Sequence, residues 1–222
     1  MHTCSALIFD LDGVLVDSNS TSEKHWELWA NQHGLPYEQI AKIHHGRPTI
    51  EIIRTVAPHL DAVAEARLKE DAEADDTEGM TAFPGAARLL TTLPKNRWAI
   101  VTSGKRRTAT IRLNFVKLPI PEIFVTSNDI TRGKPDPEPY AQAITRLGFS
   151  AEKCVVLEDA PAGIESGLAA GAFVIGLATT NDPKALSAAH VVLKHLDDLK
   201  LTVTQDGLQL TWDSAASIQD HR

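Results

Sequence analysis

The sequence predicts an α/β fold: a Rossmann-like, mainly parallel sheet with helices on both faces, a small all-helical domain inserted after the first strand, and a C-terminal β-hairpin. Three observations predict it. Short continuous apolar runs recur along the chain, as suits strands buried on both faces of a parallel sheet. Helix-like stretches separate these runs, and such alternation implies right-handed βαβ units. One long stretch, from Asn19 to about Met80, carries no strand pattern and is helical throughout.

The first strand is Ala6–Phe9 (ALIF), which ends at a carboxylate, Asp10. In the stretch that follows, Trp26, Trp29 and Ala30 stand at helical spacing. An insertion of this length reads as a separate small domain, residues 19–83, bounded by Asp17-Ser18 and Phe83-Pro84-Gly85. Residues 1–18 and 84–222 then form the core. Its further strands are Trp98–Val101, Ile123–Val125, Cys154–Leu157, Ala172–Ile175 and His190–Leu193, and its helices span about 85–93, 105–116, 137–147, 161–170 and 183–188. After Leu199, LTVTQDGLQLTW puts Asp206-Gly207 between two alternating segments, a hairpin signal. The polar tail from Asp213 to Arg222 is expected to fray.

At 222 residues, 43% hydrophobic and 23% charged, the chain can bury one sizeable core and has no disordered or fibrous signature. A formal net charge of -7 argues against a nucleic acid as main partner, since phosphate-tracking proteins need a basic face. Cys4 and Cys154 lack metal-type spacing, which suggests neither a disulfide framework nor a zinc site. No apolar run approaches the roughly 20 residues of a membrane span, and no basic leader precedes an apolar stretch. A cytoplasmic location with no membrane partner is the expectation.

Four segments carry chemistry. In DLDGVLVDS, Asp10 and Asp12 stand at a strand's carboxyl end, where ligands bind in open α/β folds. Two carboxylates this close repel unless a cation or a proton intervenes, which points to a hard ion held through oxygen, with Mg²⁺ the natural candidate. One such carboxylate can attack phosphorus while the other moves a proton. The same residues are also ordinary turn formers. Thr102-Ser103-Gly104 follows a buried strand and precedes a helix, where hydroxyls and amides either cradle a phosphate or simply cap the helix. In RGKPDPEP, prolines hold an extended approach that can aim Lys134 inward, although a solvated loop lysine fits too. Glu158 and Asp159 close a buried strand before a helix, either to hold a cation or to complement the helix dipole.

These segments, in this order, resemble the haloacid dehalogenase superfamily over nearly the whole chain, and the helical insertion resembles its mobile cap. The resemblance implies Asp10 as nucleophile and Asp12 as general acid and base. It also implies Mg²⁺ held by the Asp10 carboxylate, the Asp12 carbonyl and Asp159, with Glu158 nearby or acting through water. Phosphoryl oxygens would be held by Thr102, Ser103, Lys134 and the amides of Leu11 and Asp12.

Dehalogenases of the superfamily lack the second aspartate, which is present here as Asp12. Phosphonate-cleaving relatives use a cap lysine, for which Lys42 is the candidate. Sugar phosphomutases carry a cap histidine where this chain has Ser22. The segments PGA, LPKNRWAIVTSG, GKPDPEPY and EDAPAGIESGLAAG look most like bacterial sugar phosphatases and the yeast glycerol-phosphate and deoxyglucose-phosphate phosphatases. The expected activity is therefore hydrolysis of a small sugar or polyol phosphate, with a phosphomutase or a non-catalytic phosphometabolite sensor as alternatives. The segment from His44 to Thr49 resembles the substrate-facing cap loop, which makes His45, Gly46 and Arg47, together with Trp26, candidate specificity residues. Oligomeric state leaves no mark on the sequence.

Overall fold

Each apolar run feeds two cores at once. Along β2 (Ala6–Phe9), Ala6 and Ile8 enter one buried cluster while Leu7 and Phe9 enter another. The period-2 alternation of a strand requires this when both faces are covered. The same split divides β5 (Trp98–Val101) and β7 (Cys154–Glu158), the two neighbours of β2. The computed structural model describes residues 1–44 and 47–213; the tail expected to fray lies outside them apart from Asp213.

Six parallel strands form the sheet, in the order β6 (Ile123–Val125), β5, β2, β7, β8 (Phe173–Leu177), β9 (Val191–Leu193). One face carries α5 (Ala86–Thr92) and α6 (Arg106–Phe115), through Leu89, Ala109 and Leu113. The other carries α7 (Glu138–Leu147) and α8 (Pro161–Ala169), through Tyr140, Ile144 and Ile164. From β2 the chain proceeds to one side of the sheet, and from β7 to the other. The crevice between their carboxyl ends is thus a topological switch point.

The insertion holds α1 (Asn19–Gln32), α2 (Tyr37–Ala41), α3 (Thr49–Val56) and α4 (Ala62–Ala74). They pack around a cluster of their own that contains Trp26, Trp29, Ile40, Ile52 and Ile53. At its two ends, β3 (Val16–Asp17) and β4 (Thr81–Ala82) pair antiparallel, with Val16 opposite Ala82.

Two expectations need correction. The stretch 183–188 forms only a short 3-10 turn, Pro183–Leu186, started by the Asp182 carboxylate accepting from the Lys184 amide; its one buried residue is Leu186. The N-terminus adds a strand unseen in the sequence, β1 (His2–Cys4). It pairs with β11 (Leu208–Thr211), which in turn pairs with β10 (Lys200–Val203). The hairpin is therefore a three-stranded sheet, and its Leu208 and Leu210 join the core beneath. Cys4 and Cys154 are free and buried. Among the described residues, no helix is long and apolar enough to cross a membrane.

Candidate active site

Asp10 follows the last residue of β2, and its amide donates to the Leu157 carbonyl at 3.0 Å, so the nucleophile candidate starts from a fixed backbone. The chain then turns: the Leu11 carbonyl accepts from Leu15 and Val16, and Leu11 is fully buried. Gly13 has φ +89°, and a Cβ there would lie 2.1 Å from Asp159 Oδ2. Only glycine allows that approach.

Lys134 is 2% exposed and stands between two carboxylates, 2.6 Å from Asp10 Oδ1 and 2.6 Å from Glu158 Oε1. The solvated-lysine reading of the sequence is thereby overturned. Glu158 also accepts from Tyr140 Oη at 2.7 Å, and its Oε2 accepts the amides of Asp159 and Ala160 at 3.0 and 3.2 Å. Those two amides lead into α8, whose first residue is Pro161. The four acceptor sites of Glu158 are filled. Asp159 accepts from Thr180 Oγ1, and Asn181 Nδ2 donates to the Asp159 carbonyl at 3.0 Å.

Asp10, Glu158 and Asp159 bring carboxylate oxygens within 4.8 Å of one another, all buried. Burial, reinforced by Glu158 and Asp159, pushes the Asp10 carboxyl well above the usual range, against the pull of Lys134. Burial, then Glu158, raises Asp159 to about 7. Burial works against the Lys134 ammonium, but Asp10 and Glu158 outweigh it and hold its value up. One lysine cannot balance three buried carboxylates, so the cluster needs either a proton or a further cation. An all-oxygen donor set of this kind fits a hard divalent ion.

A cavity of about 130 Å³ opens above the cluster, between core and insertion. Asp10, Asp12, Asp159, Thr102 and Ser103 line it from the core, and Trp26 and Arg47 from the insertion. Thr102 is not a helix cap: α6 begins after Lys105, and Thr102 Oγ1 accepts from the Gly104 amide at 3.0 Å. Trp26, 2% exposed, both packs in the insertion's cluster and faces the cavity. Ser22 and His44 also line it, whereas Lys42 is exposed and lies off it. His45 and Gly46 lie outside the described residues.

The Asp12 side chain is turned towards Ser18 Oγ and Arg112 Nη1, each 2.6 Å from its Oδ1. Arg112 and Glu73 form a buried ion pair, and Glu73 pairs in turn with Lys69, all three at the cavity wall. Burial opposes the Glu73 charge, but Lys69 and Arg112 outweigh it and keep that carboxyl below the usual range. None of these three was found from the sequence, although Lys69 and Glu73 stand four apart on α4, as do Thr108 and Arg112 on α6. Lys69, not Lys42, is the lysine of the insertion at the cavity. Thr180 and Asn181, also missed, follow β8 and carry the same strand-end signal as the residues that were found.

The family model for haloacid dehalogenase-like hydrolases matches residues 7–177. Hexitol phosphatase A of Escherichia coli (strain K12) is 42% identical over 209 residues, covering 92% of this chain and 97% of that protein. Glycerol-1-phosphate phosphohydrolase 1 of Saccharomyces cerevisiae is 33% identical over 235 residues, covering 97% and 93%. A hydrolase structure from Pseudomonas syringae superposes with a TM-score of 0.78 at 29% identity, covering 87% of this chain and 95% of that one.

Proposed function

The chain belongs to the haloacid dehalogenase-like hydrolases, and on that footing we propose that it is a magnesium-dependent phosphomonoester hydrolase. Its substrates are small sugar or polyol phosphates, handled in the cytoplasm through a phospho-aspartate at Asp10. The observation that carries this reading is Lys134 bridging Asp10 and Glu158 beside Asp159, beneath a cavity that also receives Asp12. The relatives' substrates, a hexitol phosphate and glycerol 1-phosphate by their names, support the choice of substrate class.

In this mechanism an Asp10 oxygen attacks phosphorus while Asp12 gives a proton to the departing alkoxide. Asp12 then takes a proton from the water that hydrolyses the acyl phosphate. Lys134, Thr102, Ser103 and the amides of Leu11 and Asp12 hold the phosphoryl oxygens. Mg²⁺ would be held by the Asp10 carboxylate, the Asp12 carbonyl and Asp159, where it supplies charge neutralisation of the phosphoryl group. Glu158, its acceptor sites filled, stands nearby and fixes Lys134 beside that site. Residues 19–83 serve as a cap over the core of residues 1–18 and 84–222, and Trp26, His45, Gly46 and Arg47 meet the leaving group. Ser22, which lines the cavity where phosphomutases carry a histidine, favours hydrolysis over isomer exchange.

The test is Mg²⁺-dependent release of phosphate from an aryl phosphate by the purified protein, followed by kcat/KM over a panel of sugar and polyol phosphates. Asp10→Asn should abolish turnover with the fold intact. Normal hydrolysis by that variant, with deamidation excluded by mass spectrometry, refutes the mechanism. Binding without turnover would instead identify a sensor.

A further inference from the structure

Asp12, Arg112, Glu73 and Lys69 form a continuous chain of alternating charge. Arg112 is the member that joins core to insertion: its Nη1 reaches Asp12 at 2.6 Å, and its Nη2 reaches Glu73. Asp12 and Arg112 belong to the core, Glu73 and Lys69 to α4 of the insertion. Side-chain exposures are 4% for Lys69, 8% for Glu73 and 7% for Arg112, against 31% for Asp12. All four line the cavity, and Asp12 is the most exposed of them. The two terminal nitrogens of a planar guanidinium, committed to two carboxylates, fix it in position and orientation. Along the same seam, Lys105 meets Glu70 and Arg107 meets Asp75, each at 2.7 Å, so three ion pairs, from the residue before α6 to its last turn, dock α4 along it.

We propose that Glu73 is a positioning residue that acts through Arg112 to hold the Asp12 carboxylate in place for proton delivery, tying that step to the seating of the cap. The inference rests on the role given to Asp12 above. Ser18 and Arg112 both occupy Oδ1 of Asp12, which leaves Oδ2 to carry the proton. As the bond from Asp10 to phosphorus forms, the bond from phosphorus to the leaving oxygen breaks. That oxygen keeps the electron pair and receives the Oδ2 proton, and Arg112 remains beside the resulting carboxylate. If the cap lifts, Lys69 and Glu73 depart together as a neutral pair, and Arg112 loses the contact that orients it.

The experiment compares kcat/KM for glycerol 1-phosphate, whose alkoxide needs a proton, with that for p-nitrophenyl phosphate, whose phenolate does not. This ratio reports only steps through release of the leaving group, so hydrolysis of the phospho-enzyme drops out. Glu73→Gln is expected to lose at least about tenfold more on the alkyl than on the aryl substrate, about 1.4 kcal/mol of transition-state stabilisation. Arg112→Met should show the same selective loss, with partial recovery in Arg112→Lys. In an Asp12→Asn background the extra loss should vanish, because the group being positioned is gone. Equal losses on both substrates, or a loss that persists in the Asp12→Asn background, overturn the proposal. Should Glu73→Gln fail to fold, Arg112→Lys carries the same comparison. A wild-type protein that hydrolyses neither substrate brings down the functional reading, and this inference with it.

Discussion

Lys134→Met is the sharpest probe of the electrostatics of the site. The lysine is 2% exposed and holds Asp10 and Glu158 at 2.6 Å each, with Asp159 in the same cluster. Removing it leaves buried carboxylates facing one another without a counter-charge, which costs about 3–5 kcal/mol when a buried pair is broken from one side. For a chain of this size each kcal/mol moves the thermal midpoint by about 2–4 °C, so a drop of roughly 6–20 °C is expected. The measurement is thermal unfolding at pH 8 in a chelator. Acidification should shrink the deficit: burial raises Asp159 to about 7, so at pH 5 that carboxyl carries a proton that offsets the lost charge, and burial pushes Asp10 in the same direction. A midpoint within about 2 °C of wild type at pH 8, or a deficit that grows towards pH 5, refutes the reasoning.

Three further outcomes follow from the same geometry. Gly13→Ala places a methyl group 2.1 Å from Asp159 Oδ2 at a φ of +89°, so Mg²⁺ should no longer raise the thermal midpoint although circular dichroism stays native. Tyr140→Phe removes a 2.7 Å donor to Glu158 and should cost about 1.5–3 kcal/mol, read from urea unfolding. The third concerns pH. Asp159 titrates at about 7 in the folded chain, above an unfolded carboxyl near 4. The folded state therefore binds the extra proton, and the metal-free protein loses stability as pH rises from about 4 to 7. The midpoint increase on adding Mg²⁺ should accordingly be larger at pH 8 than at pH 5.5, and a flat response would count against Asp159 as a ligand.

Parallel strands were readable because burial on both faces writes an uninterrupted apolar run, as in ALIF and CVVL. His2–Cys4 was not, since an edge strand of three residues with one apolar member has no such run. The residues at strand ends, Asp10, Thr102, Glu158 and Asp159, could be found because the fold itself sends those ends to one crevice. Lys69, Glu73 and Arg112 could not be found that way. Each sits on a helix whose charged residues look solvated in the sequence, and only the docking of α4 on α6 takes them out of water. For Thr102 the sequence left two roles open, and the position of the α6 start removed one of them.

The self-contained cluster of the insertion also bears on the order in which the chain folds. Its apolar contacts join residues 26 to 66, all within one short span of sequence. The strand before Asp10, by contrast, pairs with residues 98–100 and 154–157. Loop closure over such distances is slow, while helical packing at short range is fast. On the ribosome, the insertion can thus collapse soon after it emerges, while Ala6–Phe9 waits unpaired until residues 98–100 follow. Hydrogen exchange on stalled nascent chains should find protection at Trp26 and Ile53 well before it finds any at Ile8.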